Sequence, residues 1–290
     1  MIITILGSGP ANSIPRTGCR CDLCHDARQG TKSARTRSSI FIQDRKSSVL
    51  IDTSPDFLFQ AKRVGVKKID AVFFTHQHAD AVSGFGDFIS WCQTHGESPE
   101  IFAEEATINY LKNKFPRIFK IPLRPPLRKG EASTPLLLKR RVGVDFLSTI
   151  SIHRLAPFGC VKIGNISVES FRVNHGFKNI PTLGYRINGK TICISDFDGL
   201  PPRSVAYLRG AETMILDAAM WFGRKIKGHN TPKEAIAIAK KFSPKILYLM
   251  QTGHTWPPHN IAQKILNNYA RKEKFKFRMR LAHDGLKIRI

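Results

Sequence analysis

The sequence predicts an α/β fold with sandwich-like layering, sheets inside and helices on the outer faces. Three observations carry this. Short apolar runs rich in β-branched residues recur along the chain. Amphipathic helical segments fall between them. Polar residues repeatedly follow the last apolar residue of such a run, which is where α/β folds gather functional groups.

Strands are expected at Ile2–Leu6, Ser39–Ile42, Ser48–Asp52, Ala71–Phe74, Ile101–Ala103, Ile166–Arg172, Thr182–Ile187, Thr191–Ser195, Met214–Leu216, Ile246–Tyr248 and Phe277–Ala282. Helices are expected at Asp56–Arg63, Val82–Gln93, Glu105–Lys114, Pro202–Leu208, Pro232–Phe242 and Asn260–Tyr269. The helix from Pro232 has a good start signal. Thr231-Pro232-Lys233-Glu234 puts a capping hydroxyl first, proline at N1 and glutamate at N3. Its apolar face is Ala235, Ile236, Ile238, Ala239 and Phe242. Residues 117–145 are rich in Pro, Arg and Lys and read as a basic surface insertion. No repeat and no composition break divides the chain, so residues 1–290 are expected to form one domain.

The composition is that of a globular protein, and no apolar run reaches the roughly 18 residues of a transmembrane helix. The opening Met1-Ile2-Ile3-Thr4-Ile5-Leu6-Gly7 has no basic leader pattern, so a cytoplasmic location is expected. Lys plus Arg number 46 against 22 Asp plus Glu, a net charge of +24. Such a field attracts anions: nucleic acid, small phosphorylated molecules or anionic membrane surfaces. No nucleic-acid-binding motif accompanies it, and a merely solvated surface accounts for it as well. An anionic small-molecule substrate is therefore the favoured partner, with nucleic acid open but less favoured.

Cys19, Cys21 and Cys24 crowd together, which in a cytosolic chain suggests a metal rather than disulfides. Cys92, Cys160 and Cys193 stand alone in apolar surroundings and read as small buried hydrophobes. The strongest local signal is Thr75-His76-Gln77-His78-Ala79-Asp80, after one strand and before a helix. Two imidazoles and a carboxylate on one loop can converge on zinc, manganese or iron. Further polar residues end other strands: Asp52, His175, and Asp196 with Asp198 behind it. Singly, each has an ordinary explanation as a cap or turn residue. Their order along one chain is harder to dismiss.

That order resembles the metallo-β-lactamase superfamily over nearly the whole chain, which implies an αββα sandwich of two mixed sheets. Gly18-Cys19-Arg20-Cys21-Asp22-Leu23-Cys24 further resembles the phosphoribosyl 1,2-cyclic phosphate phosphodiesterases of phosphonate degradation. The resemblance implies a structural zinc on Cys19, Cys21, Cys24 and a distant histidine, His254, a closed tetrahedral shell. His25 competes for the fourth place but adjoins Cys24 and would strain to reach the same ion. The resemblance also implies a first zinc or manganese on His76, His78, His175 and a bridging Asp196. A second would use Asp80 and Asp196 with two histidines. Those two positions hold Ala81 and Gln251. His229 matches a proton donor, Asp52 a carboxylate bracing the metal loop, and a freed Asp80 could act as general base. His283 reads as structural.

The implied function is metal-dependent hydrolysis, of a cyclic or linear phosphate ester, at a single or weakened dinuclear site. Two alternatives stay open. Pyrroloquinoline quinone biosynthesis proteins look similar, with the same cysteine clip and an altered metal site. The tRNA 3′-end nucleases share the fold, though the clip argues against them. A homodimer is common in the family.

Overall fold

Strand residues are buried on alternating faces against two different cores, and this two-sided burial sets the architecture. In Thr213–Asp217, Met214 and Leu216 point into one core and Ile215 into another. The computed structural model describes residues 1–119, 151–176, 180–223 and 225–290. The basic insertion expected at 117–145 lies, beyond Phe119, outside the described residues.

Two seven-stranded mixed sheets are present. The first runs in the order β14 (Lys287–Arg289), β1 (Ile2–Gly7), β2 (Ser39–Gln43), β3 (Ser48–Ile51), β4 (Ala71–Phe73), β5 (Glu100–Ala103), β6 (Ser151–Arg154). The second runs β13 (Arg278–Leu281), β12 (Ile246–Met250), β11 (Thr213–Asp217), β10 (Thr191–Ile194), β9 (Thr182–Ile187), β8 (Ile166–Val173), β7 (Cys160–Ile163). Pairing is parallel from β3 to β6 and from β10 to β13, and antiparallel elsewhere.

The sheets face each other across a core that includes Ile3, Ile42, Phe73, Val168, Tyr185 and Ile215. On the outer face of the first sheet, Leu50, Val72 and Ile101 meet α2 (Phe57–Val64), α4 (Phe85–His95) and α5 (Glu105–Lys114), with the short α6 (Pro116–Phe119) packed against the same core. On the outer face of the second, Ile192, Met214 and Leu249 meet α1 (Asp22–Arg28), α8 (Pro232–Phe242) and α9 (His259–Lys272). The layering is αββα, the metallo-β-lactamase fold. Among the described residues, no helix is long and apolar enough to cross a membrane.

The start of α8 carries the expected capping box: Thr231 accepts from Lys233 N, and Glu234 accepts from Thr231 N at 2.9 Å. The helix expected at 82–93 is two helices, α3 (Ala79–Val82) and α4, separated at Gly84. A side chain at Gly84 would strike the Ser54 carbonyl at 1.9 Å, so the loop after β3 passes against bare backbone there. The segment expected as one helix at 202–208 is a single α turn, α7 (Pro202–Val205), continued as a 3₁₀ turn. Cys160 is exposed, against expectation, because β7 is an outer strand; Cys92 and Cys193 are buried.

Candidate metal centre and cysteine clip

Strand ends from both sheets converge on one place. The turn between β4 and α3 brings Thr75, His76 and His78, and α3 itself carries Asp80. β3 is followed by Asp52, β8 by His175, β10 by Asp196 and β12 by Gln251, while Asp217 ends β11. His76, His78 and His175 offer ligand atoms within 4.8 Å of one another, and so do His175, Asp196 and His229.

The histidines are oriented from behind. Asp52 accepts from Thr75 N and from the Thr75 hydroxyl, both at 2.8 Å. That hydroxyl has spent its proton on Asp52, so at 2.8 Å it accepts from His76 Nδ1. The lone pair of His76 therefore sits on Nε2, a buried atom with no partner. A bare imidazole nitrogen, orphaned among other ligands, is what a metal ion needs. His175 donates from Nδ1 to the Gly228 carbonyl at 2.8 Å, which aims its Nε2 at His78 Nδ1, 3.1 Å away. Gly228 N in turn donates to Asp198 Oδ2 at 2.8 Å.

Burial pushes His76 down to about 3, only partly offset by Asp196. Burial and the neighbouring His175 also lower His78. Both rings are neutral at physiological pH, the form that binds metal.

Asp196 is 4 % exposed. Burial opposes its charge, but His76, His229 and His175 outweigh that and hold it below the usual carboxylate range. Gln251 Nε2 donates to both its oxygens at 2.9 Å, while Gln251 Oε1 is buried without a partner. Ala81 is buried in the outer core of the first sheet with Val82 and Phe85.

His229 donates from Nδ1 to Asp217 at 3.0 Å and lies 3.8 Å from Asp196. Burial works against its positive form, yet Asp217, Asp196 and Asp80 raise it to about 9. Asp217 is pushed up to about 6 by burial, although His229 pulls the other way. The pair therefore keeps its proton on the histidine. Asp80 is pushed up to about 6, first by burial and then by Asp196, and belongs to neither ligand group. Asp52 is raised by burial against the pull of Thr75.

The sequence motif includes Thr75 without assigning it a role, and leaves out Asp217 and the Gly228 carbonyl. Asp217 obeys the strand-end rule that singled out Asp52 and Asp196, and was one residue beyond the expected strand. A main-chain carbonyl leaves no signal in the side-chain sequence.

Cys19, Cys21 and Cys24 form a separate group with sulfurs within 4.8 Å of one another. Cys21 is the residue before α1, and Cys24 sits one turn in. His254 lies against them, its Nδ1 3.7 Å from Cys19 Sγ and its carbonyl 3.3 Å from Cys21 Sγ. Exposed Arg16 donates to His254 Nε2 at 2.9 Å, which leaves the ring proton on Nδ1. Ligation through Nδ1 requires Arg16 to turn away, an inexpensive motion for a surface side chain. Cys21's N–H and thiol draw the Cys19 thiol down to about 6, and burial pushes Cys24 up to about 11. His283 does not reach the metal cluster; it stands beside His259, ring centroids 5.6 Å apart.

The beta-lactamase superfamily domain matches residues 47–250. The chain belongs to that superfamily. Its members are mostly metal-dependent hydrolases, and the histidine and cysteine groups of this member are candidate metal sites of matching chemistry. The chain is 28% identical over 262 residues to an octanoyltransferase of Porphyromonas gingivalis, covering 90% of this chain but 48% of that protein. It thus spans about half the length of that relative. It is 43% identical over 276 residues to coenzyme PQQ synthesis protein B of Acinetobacter baylyi, covering 86% of this chain and 85% of that one. Among solved structures, a diphosphatase from the PhnP family superposes with a TM-score of 0.77 at 28% identity, covering 100% of this chain and 97% of that one.

Proposed function

We propose that this superfamily member is a metal-dependent hydrolase of anionic phosphate esters that works with one ion in its active site. The observation that carries the reading is the unpartnered, buried Nε2 of His76, backed through Thr75 by Asp52. His76, His78, His175 and Asp196 would hold zinc or manganese. Such an ion polarises a phosphoryl oxygen and lowers the pKa of water. Asp80, beyond both ligand groups, is the general base. His229, kept protonated by Asp217, delivers its proton to the leaving oxygen. Loss of the ligand types at Ala81 and Gln251, with the other set retained, favours one ion over two. Cys19, Cys21, Cys24 and His254 would hold a structural zinc that stabilises the fold. The likeness to a diphosphatase supports a phosphate-ester substrate.

Elemental analysis of tag-free protein tests this. One zinc for the clip plus one further ion per chain is expected, with hydrolysis of bis(p-nitrophenyl) phosphate. Zinc at the clip alone, with no hydrolysis, overturns it. That outcome favours a second reading, a non-hydrolytic role like that of the coenzyme PQQ synthesis protein, which the 43% identity and the hydrogen bonds from Gln251 to Asp196 support.

A further inference from the structure

Two adjoining cavities of about 420 and 450 Å³ lie along α9 and β13. They share Gln263, Asn267, Arg271 and Arg280, so they are halves of one groove. Lys32 and Lys264 line the first half, and Lys274 and Arg278 the second. No Asp or Glu lines either half. Among the described residues none of these six cations makes an ion pair.

Charge on an outer strand guards it against edge-to-edge pairing, and Arg278 and Arg280 are exposed on outer strand β13. That accounts for those two only. Lys32 comes from the loop after α1, Lys264 and Arg271 from α9, and Lys274 from the turn beyond it. Six like charges gathered from separate segments repel one another, and a polyanion relieves that repulsion.

The groove also offers what a nucleotide chain uses besides charge. Asn267 adds an amide donor along its shared length, while Gln263 is spent within the fold, its Nε2 donating to Asn267 Oδ1 and the Met279 carbonyl. Phe275 and Phe277 floor the second half but belong to the core, Phe277 buried and Phe275 covered by Lys240 at 4.7 Å. The groove has a direction as well. Leu281 pairs with Leu249 in parallel register, so His283 and Gln251 lie at the same end of the sheet. The first half, lined by His283, therefore opens at the end that carries the metal cluster.

We propose that this groove binds the sugar–phosphate backbone of a nucleic acid. The inference goes beyond the hydrolase reading and does not depend on it. The test is fluorescence anisotropy with a fluorescein-labelled single-stranded oligonucleotide, using the full chain with its metals, across a salt series. Binding should weaken log-linearly with salt, with a slope near 0.7 for each neutralised phosphate. The double variant Arg271→Glu/Arg280→Glu should weaken binding by about tenfold or more and flatten that slope. Lys62→Glu/Lys112→Glu has the same net charge away from the groove and should change little. Lys264→Ala/Lys274→Ala provides a milder version should the reversal unfold the chain. Equal weakening by groove and control variants, or no binding by the wild type, overturns the proposal. So does a preference for phosphatidylserine vesicles over the oligonucleotide.

Discussion

Asp196 has two differently built sides. On one, His76 and His175 are braced from behind, the first by side chains and the second by backbone. On the other, Gln251 donates to both carboxylate oxygens. The comparison teaches that a buried carboxylate does not tolerate an empty neighbour. At 4 % exposure Asp196 must be satisfied by a cation or by hydrogen bonds, since an unmet buried charge is costly. The histidine side leaves His76 Nε2 buried without a partner. The glutamine side is closed by an amide.

The sharpest way to break this contrast is His76→Ala. It should remove the active-site ion while leaving the clip zinc, and lower kcat/KM on a phosphodiester by on the order of 10³-fold. Unchanged metal content and rate would mean the histidine cluster is not the working site. Asp52→Asn acts one step back, by weakening the acceptor of the Thr75 hydroxyl. Metal affinity, read by competition with a chelating dye, should fall by roughly 10–100-fold. The opposite manipulation is Ala81→His combined with Gln251→His. It should add one ion per chain by elemental analysis, though the new ring at position 81 must find room among Val82 and Phe85. No added ion means those positions are not the lost ligands. Smallest in effect is Gln251→Glu, which replaces a donor with a like charge beside Asp196. The melting temperature should fall in chelator and recover on adding zinc or manganese. A melting temperature indifferent to both would show that the amide is not what satisfies Asp196.

The sequence made much of the frame legible, and what it hid has a pattern. The strands it missed, β6, β7 and β14, are all outer strands of their sheets. Their residues Ser151-Ile152-His153-Arg154, Cys160-Val161-Lys162-Ile163 and Lys287-Ile288-Arg289 are largely exposed and carry charge. An outer strand has fewer neighbours to bury against and is charged to discourage aggregation, so the apolar pattern that reveals a strand is thinnest there. At the site, residues that act through their own side chains were readable from type and spacing. Asp217 needed only a strand boundary one residue longer. The Gly228 carbonyl had no letter of its own.

That carbonyl gives the two histidines unequal histories under mutation. The support of His76 is written in side chains, so one base change at Thr75 or Asp52 can erase it. The support of His175 is main chain, and every amino acid supplies a carbonyl. Gly228 is nonetheless pinned by its positive φ of 88° and by the 3.0 Å that would separate a new β-carbon from His175 Nδ1. Drift at position 228 would therefore tilt the His175 ring by crowding rather than by taking away its partner. One half of this site can be deleted by genetics; the other can only be bent.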